Sequence, residues 1–118
     1  IFVVLVRPSR YSFSNIEATG EFVVNVPPEP LAEACEHCGT VSGRDHRKFQ
    51  ECGLTPRVAR HVEAPLIDEC LMHYECRVLQ RNDLVDSQLD DDVRAEFYTT
   101  GDFHRVYYGE VLRAAARI

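Results

Sequence analysis

The sequence predicts a mainly β domain, an antiparallel barrel with short helices packed outside it, and three observations carry that reading. Short β-branched and aromatic runs recur at Ile1 to Val6, Phe22 to Val26, Met72 to Leu79 and His104 to Leu112. Proline and glycine punctuate them, so the joins are turns, short helices and irregular loops rather than the regular crossovers of a doubly wound sheet. The length, 118 residues, allows one domain with one core, and 45% apolar with 27% charged residues is ordinary globular composition.

Taken in order, Ile1 to Val6 is a continuous apolar run that predicts a strand buried on both faces and stopped at Arg7-Pro8. It is far too short for a membrane span and lacks the layout of a signal peptide. Ser14 followed by Glu17 fits a capping box, with Ser12 as a rival N-cap, and Gly20 sits where a helix takes its left-handed exit. Phe22 to Val26 is a strand closed by Pro27-Pro28. Pro30 then opens a helix whose apolar stripe is Leu31, Ala34, Cys35 and Cys38, with Glu33, Glu36 and His37 toward solvent and Gly39 at its end.

Ser42-Gly43-Arg44-Asp45 is a turn, and Asp45 is placed to cap a short helix through Phe49 and Cys52 that Gly53 ends. Strands follow at Leu66 to Ile67 and Met72 to Leu79. Between Arg81 and Gly101 the periodicity fails and Asp90-Asp91-Asp92 adds like charge, so residues 81–102 read as a long, mobile acidic insertion. In the last strand, Gly109 marks a bulge or a close backbone approach. The chain begins at Ile1, without a methionine and inside a strand, and therefore reads as a fragment of a single domain, 1–118, incomplete at its N-terminus.

A formal charge of −6 disfavours nucleic-acid binding, which needs many cations against phosphates, but leaves room for a local basic pocket. Five cysteines without a secretory signal argue for a reducing compartment, the cytoplasm by default.

Two loops have the chemistry of anion sites. Ser9, Arg10 and Ser12 crowd hydroxyls and a guanidinium at a helix N-terminus, where N–H groups carry partial positive charge and arginine offers forked donors to phosphate oxygens. The plainer account is a cap at Ser12 and a solvated Arg10. Ser42, Gly43 and Arg44 with Lys48 form the second, where glycine permits a nest of N–H groups before a helix start. Cys35 and Cys38 have C-x-x-C spacing, with Cys52, His61 and His73 as remote partners for zinc, although core packing accounts for these thiols more simply. Of the histidines, His37, His46, His61, His73 and His104, only His104 begins a strand beside a glycine-containing turn. Dinucleotide, Walker, nucleophile-elbow and H-E-x-x-H motifs are absent from the sequence.

The blocks Arg7-Pro8-Ser9-Arg10-Tyr11-Ser12, Thr19 to Pro27, Ser42-Gly43-Arg44-Asp45 with Lys48-Phe49, Ala64 to Ile67 and Gly109-Glu110-Val111 together resemble, in order and spacing, the flavin-reductase-like family of FMN-binding split barrels. The resemblance implies a barrel that binds FMN, as a homodimer with the flavin near the interface, and that takes hydride from NADH or NADPH. By the same resemblance, Ser12 stands at the family's phosphate-contacting Ser/Thr with Arg10 beside it, Lys48 at the lysine that reaches the flavin, and His104 near the flavin or nicotinamide. Two other functions stay open: a non-catalytic FMN-binding or electron-carrier protein of the same fold, and a zinc-stabilised interaction domain.

Overall fold

The computed structural model describes residues 1–117. Its framework is an antiparallel four-stranded sheet in the order β1-β6-β5-β2, formed by β1 (Phe2–Val6), β2 (Glu21–Val26), β5 (Met72–Asp83) and β6 (Arg105–Ala116). A two-stranded ribbon pairs β3 (Pro56–Arg57) with β4 (Leu66–Ile67). Four helices fill the connections: α1 (Tyr11–Thr19), α2 (Ala32–Thr40), α3 (Lys48–Glu51) and α4 (Asp91–Phe97). The architecture is the expected one, mainly β with short helices, and the sheet curls as a half-barrel.

The two long strands run beyond the sequence expectation at both of their unfixed ends, β5 to Asp83 and β6 to Ala116. Register shifts between Glu75 and Cys76 and between Val78 and Gln80 bend the pair, as bulges do. Gly109 is the close approach that the sequence suggests: a Cβ there would lie 2.6 Å from Phe22 Cζ and 3.1 Å from Cys76 Cβ. Phe22 and Cys76 belong to the buried cluster with Ile16 and Tyr107, against which Phe2, Val4, Phe13, Tyr74, Val78 and Val111 pack.

Glu17 fastens α1 to the sheet. Its Oε1 accepts from the Tyr107 hydroxyl at 2.7 Å and from Arg105 at 3.0 Å, while Oε2 accepts from Arg81 at 2.8 Å. The Tyr107 hydrogen bond, followed by the Arg105 and Arg81 charges, outweighs desolvation and holds the Glu17 carboxyl below its ordinary range. Burial and the same carboxylate push the Tyr107 phenol up to about 12.

Several sequence expectations are corrected. β1 alternates instead of burying both faces: Phe2, Val4 and Val6 turn inward, and Val3 and Leu5 stay exposed. The helix α1 starts at Tyr11, its N-cap Arg10 makes no side-chain cap, and Ser14 Oγ donates back to the Tyr11 carbonyl, so neither the capping box nor the Ser12 cap forms. Gly20, at φ 67°, is the left-handed exit expected. Gly39 does not end α2, which continues through Thr40, and Cys35 on the expected apolar stripe is exposed while His37 is half-buried. Arg47, not Asp45, precedes α3, because Asp45 N closes a turn onto the Ser42 carbonyl at 3.1 Å.

The segment expected to lack pattern is folded. After β5 it forms a 3-10 turn at Asp86–Gln88 and then α4, whose N-cap Asp90 accepts from Asp92 N and Val93 N. Asp91 and Asp92 lie in the first helical turn, where the helix dipole favours negative charge, so the acidic triplet starts a helix rather than repelling one.

Candidate functional site

The two loops singled out in the sequence meet. Ser9, Arg10 and Ser12 at the entry to α1, Ser42, Gly43 and Arg44 in the turn after α2, Lys48 at the start of α3 and His104 before β6 all line one pocket of about 510 Å³. β1 contributes Leu5, Val6 and the adjoining Arg7, and the end of α2 contributes Cys38 and Gly39. Among the described residues the lining therefore holds four basic side chains, Arg7, Arg10, Arg44 and Lys48, and no carboxylate, in a chain of net charge −6.

Local contacts explain how the loops are held. Arg44 donates to the Ser9 carbonyl at 2.8 Å, which ties the second loop to the first, and its guanidinium lies 5.5 Å from the centre of the Tyr11 ring. Gly43 is small because of Tyr11: a Cβ would stand 2.8 Å from Tyr11 Cδ2. It does not have the positive φ that a nest requires, so its role is space, not backbone freedom. Lys48 Nζ donates to the Cys38 carbonyl at 2.6 Å, close to the negative end of α2. α1 presents its first N–H groups uncapped by any side chain beside Arg10 and Ser12.

Ser9 is committed elsewhere. Its N–H and its hydroxyl both donate to the Asp102 carboxylate, at 3.1 and 2.5 Å, so it positions the loop. Asp102 sits at φ 57°, following Gly101 at φ 80°, and this left-handed pair turns the chain from α4 toward His104. The His104 Nδ1 lies 2.5 Å from the hydroxyl of buried Tyr98, and burial, with Arg7 and Arg10 nearby, lowers its pKa below the usual histidine value. Nδ1 is engaged by Tyr98, so Nε2 is the ring nitrogen left for a ligand.

Arg7, Tyr11, Tyr98 and Asp102 were not found by sequence reasoning. Arg7 donates to the Phe97 carbonyl at 2.7 Å and stacks 4.8 Å from the Tyr98 ring centre, across a separation of about ninety residues that leaves no local sequence signal. Only Tyr11 had one, as an aromatic residue at the mouth of an anion loop.

The thiols do not assemble as a metal site. Among the described residues Cys35, Cys38, Cys52, His61 and His73 form no group of three converging ligand atoms. Cys38 and Cys52 touch, with sulfurs 3.9 Å apart, and His73 is a buried structural residue between Asn25 Oδ1 at 2.8 Å and Arg57 at 3.4 Å.

The flavin reductase like domain model matches residues 1–117. The chain belongs to that family. A protein of Archaeoglobus fulgidus is 34% identical over 109 residues, 92% of this chain and 52% of the relative, so the chain spans about half the length of that relative. Flavoredoxin from Methanosarcina acetivorans superposes with a TM-score of 0.76 at 24% identity, over 98% of this chain and 52% of that one. Flavoredoxin of Desulfovibrio vulgaris (Miyazaki F) gives 0.75 at 22% identity, over 98% and 52%. The flavin-reductase-like membership and the split-barrel fold expected from the sequence blocks are thereby established.

Proposed function

We propose that the pocket is the phosphate end and part of the ring environment of an FMN site, and that the protein is an NAD(P)H-dependent flavin reductase acting as a homodimer in the cytoplasm. The observation that carries this reading is the convergence of four cations and no carboxylate on one pocket of an acidic chain. An FMN phosphate carries nearly two negative charges and needs several donors, which neither loop supplies alone.

The donor chemistry fits. Arg10, Ser12 and the uncapped start of α1 supply donors on one side, and Lys48 supplies an ammonium on the other. Arg44 holds the two loops at a fixed spacing through Ser9. His104, oriented by Tyr98 and with its pKa lowered, offers its second ring nitrogen where the ring or nicotinamide would lie. When bound, flavin supplies the hydride-accepting chemistry; the residues orient it and balance its charge.

Full-length protein is mixed anaerobically with NADH or NADPH and excess FMN, with FAD in parallel. The expected result is loss of flavin absorbance faster than in a protein-free control. Equal rates would remove the reductase function, and tight flavin binding without turnover would favour an electron carrier, a reading that the flavoredoxin likeness also supports.

A further inference from the structure

Close to the Ser42–Arg44 turn in the chain, three ligand-bearing side chains from separate elements converge. His37 comes from α2, His46 from the turn and Glu51 from the end of α3. Glu51 Oε1 lies 2.8 Å from His37 Nε2 and 3.0 Å from His46 Nδ1, and all the ligand atoms lie within 4.8 Å of one another. The two rings meet edge-on, at 85° and 6.0 Å, rather than stacking, so one nitrogen of each can face the same carboxylate.

Zinc bound by imidazole and carboxylate at about 2.0–2.2 Å in a tetrahedron needs ligand atoms roughly 3.4 Å apart. Two of the observed separations, 2.8 and 3.0 Å, are a few tenths of an ångström shorter than that, and the third lies within 4.8 Å, so the three atoms are near ligating distance. The backbone N–H of Arg47 donates to Glu51 Oε2 at 3.2 Å, an outer contact of the kind that orients a ligating carboxylate. Side-chain exposures of 40%, 38% and 34% leave the cluster open to solvent, with access for a fourth ligand. The set supplies two imidazole nitrogens and one carboxylate oxygen, donors that suit zinc, and the surrounding chain is acidic.

We propose that His37, His46 and Glu51 form a binding site for zinc or a similar divalent transition-metal ion, with a fourth position open to water. An ion there would fasten α2 to the turn that carries Ser42 and Arg44. This site differs from the thiol set suggested by C-x-x-C spacing, and it does not depend on the flavin reading.

The test uses full-length protein cleared of metal by a chelator. Zn2+ is titrated by calorimetry and Co2+ by difference absorption. One ion per chain is expected, with the ligand-field bands of a low-symmetry Co2+ site and no thiolate charge-transfer band. The Cys35→Ser/Cys38→Ser double variant should bind as the wild type does. His46→Ala and Glu51→Gln, each checked for native circular dichroism, should weaken Zn2+ binding at least about tenfold; Glu51→Gln preserves side-chain shape should His46→Ala fail to fold. Affinity unchanged in Glu51→Gln, a charge-transfer band lost with the cysteines, or absence of saturable binding would each overturn the proposal.

Discussion

Lys48 uses one of its three N–H donors on the Cys38 carbonyl at 2.6 Å, and the other two are available to the pocket that it lines. A charge-assisted hydrogen bond contributes about 1.5–3 kcal/mol, so Lys48→Ala should weaken FMN binding by roughly ten- to hundredfold. Lys48→Arg should retain part of the affinity, because charge survives while geometry changes. Fluorescence titration of FMN measures both, and a dissociation constant unaltered in Lys48→Ala would exclude Lys48 from the site. Residue chemistry of this sort was legible in the sequence because each loop is local: Ser9 to Ser12 and Ser42 to Lys48 carry their donors within a few positions. The ties that shape the pocket were not legible. Ser9 to Asp102 and Arg7 to Phe97 join residues more than eighty positions apart, and nothing in either neighbourhood requires the other.

At the scale of elements, Gly109 lets β6 pass under the Phe22 ring of β2 without sharing a hydrogen-bond ladder with it. Gly109→Ala would force a methyl group to 2.6 Å from Phe22 Cζ, and overpacking of this kind costs about 1–3 kcal/mol. Urea unfolding should show that loss, and Phe22→Leu in the same chain should recover part of it by shortening the obstructing side chain. If the two substitutions added as independent losses, the contact would not be the reason for glycine here. The strands were legible from β-branched runs and the exits of α1 and α3 from Gly20 and Gly53, both at positive φ. α4 was missed because its acidic start was weighed as repulsion, whereas Asp90 as cap and Asp91 and Asp92 in the first turn are favourable at a helix N-terminus. β1 was misjudged for another reason: an unbroken apolar run has no period, so it cannot reveal that Val3 and Leu5 face outward.

For the molecule as a whole, acid should remove stability in two stages. His73 and His104 are held below the usual 6.5, chiefly by burial, so the unfolded chain takes up protons first and stability declines as pH falls below about that value. Glu17 and Glu75 are held below the ordinary 4.5, so their contribution is present above it and is lost as pH falls through their folded values. Burial pushes the Glu75 carboxyl up, but the N–H groups of His61 and Arg60 and the Arg113 guanidinium more than offset it. Thermal midpoints measured from pH 8 to 3 should decline in both windows, and a flat profile down to pH 5 would contradict the histidine stage.

The strand order carries a consequence for how the protein is made. Phe2 pairs with Gly109 and Val6 with Arg105, so among the described residues β1 finds its neighbour in β6, far along the chain. The β1–β6 ladder can form only once β6 has been translated, and the pocket waits with it because His104 completes its wall. Pairing over so long a stretch of chain is slow to form, and the nascent chain is open to wrong partners in the interval. The cation-lined pocket is therefore completed only after the helices and loops that contribute most of its residues have been made.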